Sequence, residues 1–462
     1  MRRTYYKLLV IGLIVGCTSL TSCERYLDIK SSKSLVIPKT LDDLQALLDA
    51  SPNINYMYYP SLLEVGTDDY YLDFETLSAL TAFEQDNYTW QKAPLYPDRE
   101  VNWTWKSPYQ TVFIANTVLH ELAKMADKET ARGRQIKGAA LFIRAFGFYT
   151  LAQVFCAPYD PYGDNDGLGI PLRLSPDFNE KSTRATVAQT YQRILDDFNE
   201  SVDLLPLSTD YPTRPNKAAA YAALARIYLI MGDYSEAGAH ADEALKMYNE
   251  LIDFNEIDQD ARIPFERFNK ETIFYAYSGG LPILNPKRAN VDLELYHSYH
   301  HNDLRKRAYF TDKENGTYGF KGSYTGNSGN GFFIGLAVDE LFLIRAECTA
   351  RAGKLGEAMA DLNRLLRTRW REGEFKPVQL QDEEEALRVI LGERRKELIM
   401  RGLRWSDLRR LNKDPRFAKT LARYVDDGQE VKKYTLPPND LRYTYLIPQS
   451  VIDITGMKQN QR

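Results

Sequence analysis

Residues 217–248 carry the pattern that most constrains the fold, because they read as two amphipathic helices joined by a short break. Small or apolar side chains recur at helical spacing on both sides of this break, at Tyr221, Leu224, Ala225, Tyr228, Leu229, Ala237, Ala241, Ala244, Leu245 and Tyr248. Such spacing places them on one face of each helix. Gly232-Asp233-Tyr234 interrupts the run. Alanines at facing positions let two backbones approach closely, so the pattern predicts a helix hairpin.

The same pattern returns further along the chain, which indicates a repeated structural unit. The small, breaking and apolar positions recur at Ala346, Gly353-Lys354-Leu355, Ala358 and Leu366. Two less regular pairs are predicted from residues 134–156 with 184–204 and from residues 382–401 with 404–412. Tetratricopeptide-like helix pairs bury their apolar faces only by stacking. The predicted fold is therefore mainly α, with four stacked helix pairs, long irregular insertions and a few short strands.

The composition excludes several classes of protein. The chain has 462 residues, of which 44% are hydrophobic and 26% charged, as in an ordinary globular protein with a buried core. Its 63 Asp and Glu outnumber 59 Lys and Arg, which gives a net charge of −4. A nucleic-acid-binding protein needs a basic face to displace counterions, so we expect no nucleic-acid partner.

The first 22 residues predict a secretory signal peptide. Arg2-Arg3 precedes an apolar run over residues 8–17 that is too short to span a bilayer. Leu20-Thr21-Ser22-Cys23 then matches a bacterial lipobox, in which the chain is cut before an acylated cysteine. We predict lipidation of Cys23 and a stable membrane anchor; ordinary cleavage beside an incidental cysteine is the alternative. No other stretch is predicted to cross a membrane.

Two further cysteines are predicted to be packing residues. Cys156 and Cys348 each fall on an apolar helical stripe. Buried thiols are therefore favoured over a redox pair, although an exported protein could oxidise them.

Two insertions differ in composition from the helical segments. Residues 51–109 combine many Tyr and Trp with Pro and Asp, and residues 249–337 contain strand-like runs and a glycine-rich loop. Long irregular segments on a rigid scaffold are where binding sites usually lie. We therefore look for ligand-binding side chains in these insertions.

Sequence signatures of enzymes are missing, and the metal signals are weak. The chain has no Gly-x-Ser-x-Gly elbow, no His-Glu-x-x-His helix and no phosphate-binding loop, so we predict that it is not an enzyme. On a helix Glu294, His297 and His301 would share a face and could bind a metal, but a polar helix edge is favoured. Asp164-Asn165-Asp166-Gly167 resembles half a calcium loop without EF-hand spacing, so a hydrated turn is favoured over calcium. We expect no metal and no cofactor.

Several motifs resemble those of one known family. In the second half of the chain they are Asp339-Glu340-Leu-Phe-Leu-Ile-Arg345-Ala-Glu347, Glu393-Arg394-Arg395-Lys-Glu397-Leu, Gly402-Leu-Arg404-Trp405-Ser-Asp407-Leu and Tyr445-Leu-Ile-Pro448. In the first half they are Trp105-Lys-Ser-Pro-Tyr109, Ile114-Ala-Asn116, Gly138-Ala-Ala-Leu-Phe-Ile-Arg144-Ala-Phe and Arg184-Ala-Thr-Val with Asp197. With these segments nearly all of the mature chain resembles the SusD/RagB family, the surface nutrient-binding lipoproteins of Bacteroidetes.

The resemblance implies an architecture, a location and partners. It implies a SusD-like fold, with an N-terminal region over residues 23–205 and a C-terminal region over residues 206–462 in one compact unit. It also implies a lipid-anchored lid on the exterior of the outer membrane, over a SusC-like TonB-dependent transporter that receives a captured oligosaccharide or peptide. At 462 residues the chain resembles a short member, so carbohydrate specificity does not follow. A tetratricopeptide-like module that binds another surface protein is the alternative function.

The dense charges of the C-terminal motifs are predicted to be structural. The run comprises Arg394, Arg395, Glu397, Arg401, Arg404, Asp407, Arg409 and Arg410. A network of ion pairs on a solvated helix face is favoured, and part of a docking surface for the transporter is the alternative. Trp105 and Trp405 lie in helical motifs and are predicted to belong to the core.

Ligand-binding candidates come from the aromatic and polar residues outside those motifs. A planar side chain covers the apolar face of a sugar ring, while Asp and Asn satisfy its hydroxyl groups. The candidates are Asp68, Asp69, Tyr70, Tyr71 and Trp90 in the first insertion and Tyr296, Tyr324 and Asn327 in the second. An ordinary packing contact is the competing interpretation for each ring.

Overall fold

The computed structural model describes residues 38–55, 61–92, 98–327 and 331–462, with the side chains of 98–102 left out. The predicted signal peptide over residues 1–22 and the predicted lipidation site Cys23 lie outside the described residues. Residues 41–462 form one compact unit.

Helices of eight residues or more account for most of the regular structure in this unit. They are α1 (Leu41–Leu48), α6 (Asp98–Leu122), α7 (Ala131–Phe155), α8 (Val187–Leu204), α9 (Lys217–Met231), α10 (Tyr234–Met247), α13 (Val338–Arg351), α14 (Leu355–Arg367), α15 (Glu383–Glu397) and α16 (Arg404–Leu411). Shorter helices are α2 (Ser51–Ile54), α3 (Leu62–Val65), α4 (Phe74–Ser78), α5 (Ala82–Tyr88), α11 (Leu293–Ser298), α12 (Arg305–Tyr309) and α17 (Gln449–Thr455).

Within the described residues the strands are short and form two-stranded antiparallel pairs. They are β1 (Tyr70–Tyr71), β2 (Leu168–Pro171), β3 (Arg184–Thr186), β4 (Thr272–Phe274), β5 (Tyr277–Ser278), β6 (Asn290–Val291), β7 (Phe310–Asp312), β8 (Tyr318–Phe320), β9 (Phe332–Phe333), β10 (Leu336–Ala337), β11 (Leu421–Asp426) and β12 (Val431–Leu436). The pairs are β1 with β6, β2 with β3, β4 with β10, β5 with β9, β7 with β8 and β11 with β12. The mainly α fold predicted from sequence is confirmed.

Three of the four predicted helix pairs are confirmed, and the fourth is wrong. The helices α9 and α10, α13 and α14, and α7 and α8 pack as pairs. By contrast, α15 packs mainly against α13, whereas α16 packs mainly against α3 and α9. The fourth prediction failed because the apolar side chains of α15, which are Ala386, Leu387 and Ile390, pack against α13 and α14 instead of against α16.

The turn of the first hairpin shows why the break predicted a hairpin. Gly232 adopts the left-handed conformation with φ of 80° and ends α9, as glycine does most readily. The side chain of Asp233 then accepts a hydrogen bond from the backbone N–H of Glu236 and starts α10.

From Gly138 to Phe155 every residue of the helix α7 is buried, since neighbouring elements cover it on all sides. By length and composition it could span a membrane, contrary to the sequence prediction, but its apolar window is completely buried inside the protein. Its Arg144 makes two hydrogen bonds of 2.8 and 2.7 Å to Asp197 of α8 and one of 3.1 Å to Asn116 of α6. This buried contact joins three helices, so α7 is a central core helix.

The remaining core predictions hold. Cys156 and Cys348 are free and buried, and burial raises the pKa of Cys156 to about 12. Trp105 and Trp405 are buried as predicted. A second, smaller apolar cluster lies between α13, α14 and α15.

Candidate functional site

The acidic pair of the first insertion is part of a buried ion-pair cluster. Arg404 makes two hydrogen bonds of 2.7 and 2.9 Å to Asp68, and Arg395 lies 2.9 Å from Asp69. Burial by itself would raise the pKa of Asp68, but Arg404 and Arg395 hold it well below its usual value. For Asp69, burial outweighs the same two arginines and its pKa is raised. Both carboxylates form ion pairs with arginines, which argues against the predicted ligand role of Asp68 and Asp69.

The rings of the first insertion surround a buried arginine. The guanidinium of Arg423 lies 3.5 Å from the ring centroid of Tyr88, 4.7 Å from Trp90 and 5.2 Å from Tyr70. Trp90 is only 1% exposed and donates its indole N–H to the Gly66 carbonyl at 3.0 Å. We call these four side chains, Tyr70, Tyr88, Trp90 and Arg423, the arginine cage. The predicted ligand role of Tyr70 and Trp90 is wrong, since their faces contact Arg423 instead of solvent.

The other candidates divide between core and surface. Tyr324 is fully buried and donates its hydroxyl to Glu271 at 2.8 Å, so its predicted ligand role is also wrong. Tyr71 is half-buried in the strand pair with Asn290, and Asn327 is exposed. Their roles as ligand contacts stay predictions.

The charge run forms the predicted ion pairs, but these are buried instead of solvated. Arg410 donates two hydrogen bonds of 2.7 and 2.8 Å to Glu347. Asp407 lies between two arginines and forms ion pairs with Arg394 at 2.9 Å and with Arg410 at 2.8 Å. All of these side chains are buried. The predicted solvated face and the alternative docking surface are therefore both wrong for this part of the run.

Three buried carboxylates form the only cluster among the described residues whose geometry resembles a metal-binding site. Arginine side chains form ion pairs with all three. Oxygens of Glu271, Asp339 and Glu397 lie within 4.8 Å of one another. However, Arg369 contacts Glu271 at 2.7 Å and Glu397 at 2.8 Å, and Arg401 contacts Asp339 at 3.1 Å. Arginines thus supply the positive charge that a metal would bring.

The two metal signals of the sequence have structural explanations. The helix α11 ends at Ser298, so Glu294 and His297 do not share a helical face with His301. At the Asp164–Gly167 turn, Asn165 fixes the loop through hydrogen bonds to the backbone of Asp160 and Gly163.

One candidate from the sequence, Tyr296, lies in an open cleft of about 490 Å³. Its ring stacks on Tyr318 with a centroid separation of 3.5 Å and an angle of 13°. The ammonium of Lys306 lies 4.6 Å from the centroid of the Tyr296 ring. Phe310 contacts the same ring edge-on. Arg262, Arg307, Lys321, Asp260, Thr311 and Asp312 complete the walls. We call this site the tyrosine cleft.

A second cleft, of about 300 Å³, is more apolar. It is lined by Trp105, Tyr109, Val112, Phe113, Asn116, Pro171, Arg173, Ser175, Pro176, Phe178, Ser182, Val451, Thr455 and Met457. Phe178 stacks on Phe113 with centroids 4.8 Å apart, yet 81% of its surface is exposed. We call this site the phenylalanine groove.

Comparison with known proteins decides the family. A family model described as "Starch-binding associating with outer membrane" matches residues 25–229, and the model of the "SusD family" matches residues 322–461. The chain belongs to the SusD/RagB family. This confirms the resemblance carried by the helical and C-terminal motifs.

Relatives of this SusD/RagB family member are distant in sequence but share its fold. SusD-like protein P2 of Formosa agariphila is 23% identical over 66% of this chain and 71% of its own length. The crystal structure of a SusD superfamily protein from Bacteroides thetaiotaomicron is 21% identical, with a TM-score of 0.73 over 92% of this chain and all of that one. A laminarin-binding SusD-like protein is 20% identical, with a TM-score of 0.64 over 90% of this chain and 97% of that one.

The tyrosine cleft of this SusD/RagB protein contains residues that the sequence prediction missed. Tyr318, Lys306 and Lys321 were not among the candidates. A signal was present, because Asn315-Gly316 is typical of a turn between paired strands. The resulting pair of β7 with β8 places Tyr318 opposite Asp312. The contact between Tyr318 and Tyr296 joins β8 to α11, which no local pattern predicts.

Proposed function

We propose that this protein is a lipid-anchored, surface-exposed nutrient-binding protein that captures a glycan without altering it and passes it to a TonB-dependent outer-membrane transporter. The observation that carries the proposal is the stacked pair Tyr296 and Tyr318 at an open cleft of about 490 Å³. Family relatives support it, since one solved neighbour is described as laminarin-binding and another as a putative sugar-binding protein.

The chemistry of the tyrosine cleft suits a saccharide. Tyr296 covers one face of Tyr318, and Tyr318 is half-buried, so its remaining exposed surface is available to a sugar ring. The surrounding Asp, Thr, Lys and Arg side chains can exchange hydrogen bonds with hydroxyl groups at the ring edge. An aromatic platform with a polar rim orients a ligand, and the two carboxylates of the cleft are already engaged by Arg307 and by the backbone N–H of Glu314, which fits capture instead of hydrolysis.

Calorimetry with a panel of oligosaccharides and peptides tests the proposal. We expect Tyr318→Ala to weaken binding of the best ligand about tenfold, because losing an aromatic contact of about 1–2 kcal/mol corresponds to a change of about 5- to 30-fold in Kd. The matched control is Tyr424→Ala, which removes a 61% exposed ring from β11, outside the cleft. Equal binding by both variants, or turnover of a bound sugar, would contradict the proposal.

The anchor and the transporter are tested separately. We expect metabolic labelling with a fatty acid to mark the wild type but not Cys23→Ser, and mild detergent extraction to co-purify a large β-barrel. Absence of label on the wild-type protein would contradict the lipid anchor. A labelled protein that never co-purifies with a β-barrel would contradict delivery to a transporter.

One observation favours the alternative function, a module that binds another surface protein. The exposed ring of Phe178 beside the phenylalanine groove offers apolar surface of the kind found at protein interfaces. Under this alternative, Phe178→Asp would abolish capture of a soluble protein partner, while no saccharide or barrel would bind. Retained saccharide binding in Phe178→Asp would agree with the leading proposal.

A further inference from the structure

The walls of the tyrosine cleft carry an excess of positive charge. Four cationic side chains, Arg262, Lys306, Arg307 and Lys321, face two carboxylates, Asp260 and Asp312. The whole chain has a net charge of −4, so this local sign is opposite to the average. A positive cleft on an acidic protein attracts anions while the remaining surface repels them.

The two carboxylates of the cleft are already engaged. Asp260 forms an ion pair with Arg307, and Asp312 accepts a hydrogen bond of 2.7 Å from the backbone N–H of Glu314. Asp260 therefore offsets the charge of Arg307 and leaves the lysines without a close counter-charge.

The two lysines are held in place by carbonyl groups. Lys321 donates to the backbone oxygens of Gln259 at 2.8 Å and Ala261 at 3.0 Å, and Lys306 donates to that of Tyr299 at 3.0 Å. Within the described part of the chain, neither lysine forms an ion pair with a carboxylate. Each ammonium has three N–H donors, so both keep at least one for a ligand.

The environment of Lys321 favours an incoming anion. Burial lowers the pKa of Lys321, and Asp260 and Asp258 act on it only from beyond ion-pair distance. An anion bound against this ammonium would replace the water that burial removes. A charge-assisted hydrogen bond of this kind is about twice as strong as a neutral one.

We propose that the tyrosine cleft binds an acidic saccharide, with the anionic group held by Lys321 and Lys306 and the sugar ring placed against Tyr318. The inference rests on the proposed glycan-binding function and specifies the class of its ligand. The shared chemistry is an oxyanion on a sugar ring, which a uronic acid carboxylate or a sulfate ester would provide.

Calorimetry of the mature protein with matched oligosaccharides tests the inference. The probes are an oligogalacturonate, a sulfated galactan oligosaccharide and a neutral gluco-oligosaccharide of equal length. We expect one acidic probe to bind at least about tenfold tighter than the neutral one, and this advantage to shrink as salt rises. The first probe reports a carboxylate ligand and the second a sulfate ligand.

Lysine variants distinguish the contribution of the ammonium charges from that of the Tyr318 ring. We expect Lys321→Gln and Lys306→Gln each to weaken the acidic probe about tenfold, as expected for loss of one hydrogen bond to a charged group. Binding of the neutral probe should fall clearly less, because Gln loses the charge but keeps N–H donors for a sugar hydroxyl group. The matched control is Lys376→Gln, an exposed lysine outside the cleft, which should leave every probe unaffected.

The failures of the two proposals are distinguishable. If neutral and acidic probes bind equally, and Tyr318→Ala but neither lysine variant weakens them, glycan capture stands and the acidic ligand class is overturned. If the lysine variants act but Tyr318→Ala does not, the ring placement is overturned together with the role of the stacked tyrosine pair in glycan capture. If neither acidic probe binds but another glycan of the panel does, glycan capture stands and the acidic ligand class is overturned. If no glycan binds, both proposals fail.

Discussion

The arginine cage and the tyrosine cleft both combine aromatic rings with cationic side chains, but the cage is buried and the cleft is open. In the cage, Tyr70, Tyr88 and Trp90 enclose Arg423, and the cation is satisfied by backbone oxygens such as that of Tyr88 at 2.6 Å. In the cleft, a tyrosine pair lies beside lysines that have no ion-pair partner among the described residues. The two sites differ in what their rings contact. In the cage the rings surround Arg423, which comes from a strand more than 330 residues away along the chain.

This contrast shows how to interpret an aromatic and acidic window in a sequence. Asp68-Asp69-Tyr70-Tyr71 looks like a sugar site by composition, but Arg395 and Arg404 occupy both carboxylates. Rings and charges form a ligand site only where the fold leaves them without a partner. The predictions below test this distinction, beginning with the largest expected effect.

The largest effect is expected from the arginine cage. Trp90→Ala removes a fully buried indole and should lower the free energy of unfolding by about 3–5 kcal/mol, measured by denaturant titration. The comparison variant Tyr318→Ala, from the half-buried pair, should lower it by about 1 kcal/mol or less. Similar losses in both variants would show that the cleft rings are also part of the core, and would end the distinction.

Regular structure could be predicted from the sequence because its signals are local. The hairpin of α9 and α10 follows from apolar periodicity and from Gly232-Asp233 at its turn, and the pair of α13 and α14 repeats this pattern. The dense charge run likewise predicted a network of ion pairs, but not distant partners such as Glu347 for Arg410.

The sites could not be predicted because their contacts are not local. Arg395 meets Asp69 across 326 positions, so the sequence window around Asp69 contains no sign of its partner. Tyr318 reaches Tyr296 only after the β7–β8 hairpin has formed. Packing between distant segments therefore decides which rings are buried, and pattern analysis of one segment cannot supply that information.

A second prediction concerns the buried ion pairs beside the cage. Arg404→Met should lower the free energy of unfolding by about 3 kcal/mol, because it leaves Asp68 buried with fewer counter-charges. Arg395 and Lys419 still contact Asp68, which keeps the loss at the lower end of the expected range. A double-mutant cycle with Asp68→Asn measures the coupling. No coupling between the two changes would show that the pair does not stabilise the fold.

A third prediction uses pH on the buried carboxylate cluster. Burial, only partly offset by Arg401, raises the pKa of Asp339 to about 7. The fold therefore favours the protonated form, and this stabilisation is present at acid pH and lost as the pH rises toward 7. Relative to Asp339→Asn, the wild type should lose about 2 kcal/mol of unfolding free energy between pH 5 and pH 7. Parallel pH profiles of the two proteins would contradict the raised pKa.

The smallest effect is expected from the exposed ion pair at the cleft. Arg307 and Asp260 are both more than half exposed, and solvent screens such a pair. Arg307→Met should therefore change the free energy of unfolding by less than about 1 kcal/mol, and added salt should remove even that. The loss in Arg404→Met should largely persist in salt, because both side chains of its pair are mostly buried. A loss of stability in Arg307→Met that persists in salt would show that this ion pair stabilises the fold, as the pair of Arg404 does. The charges of the cleft wall would then be structural instead of available to a ligand.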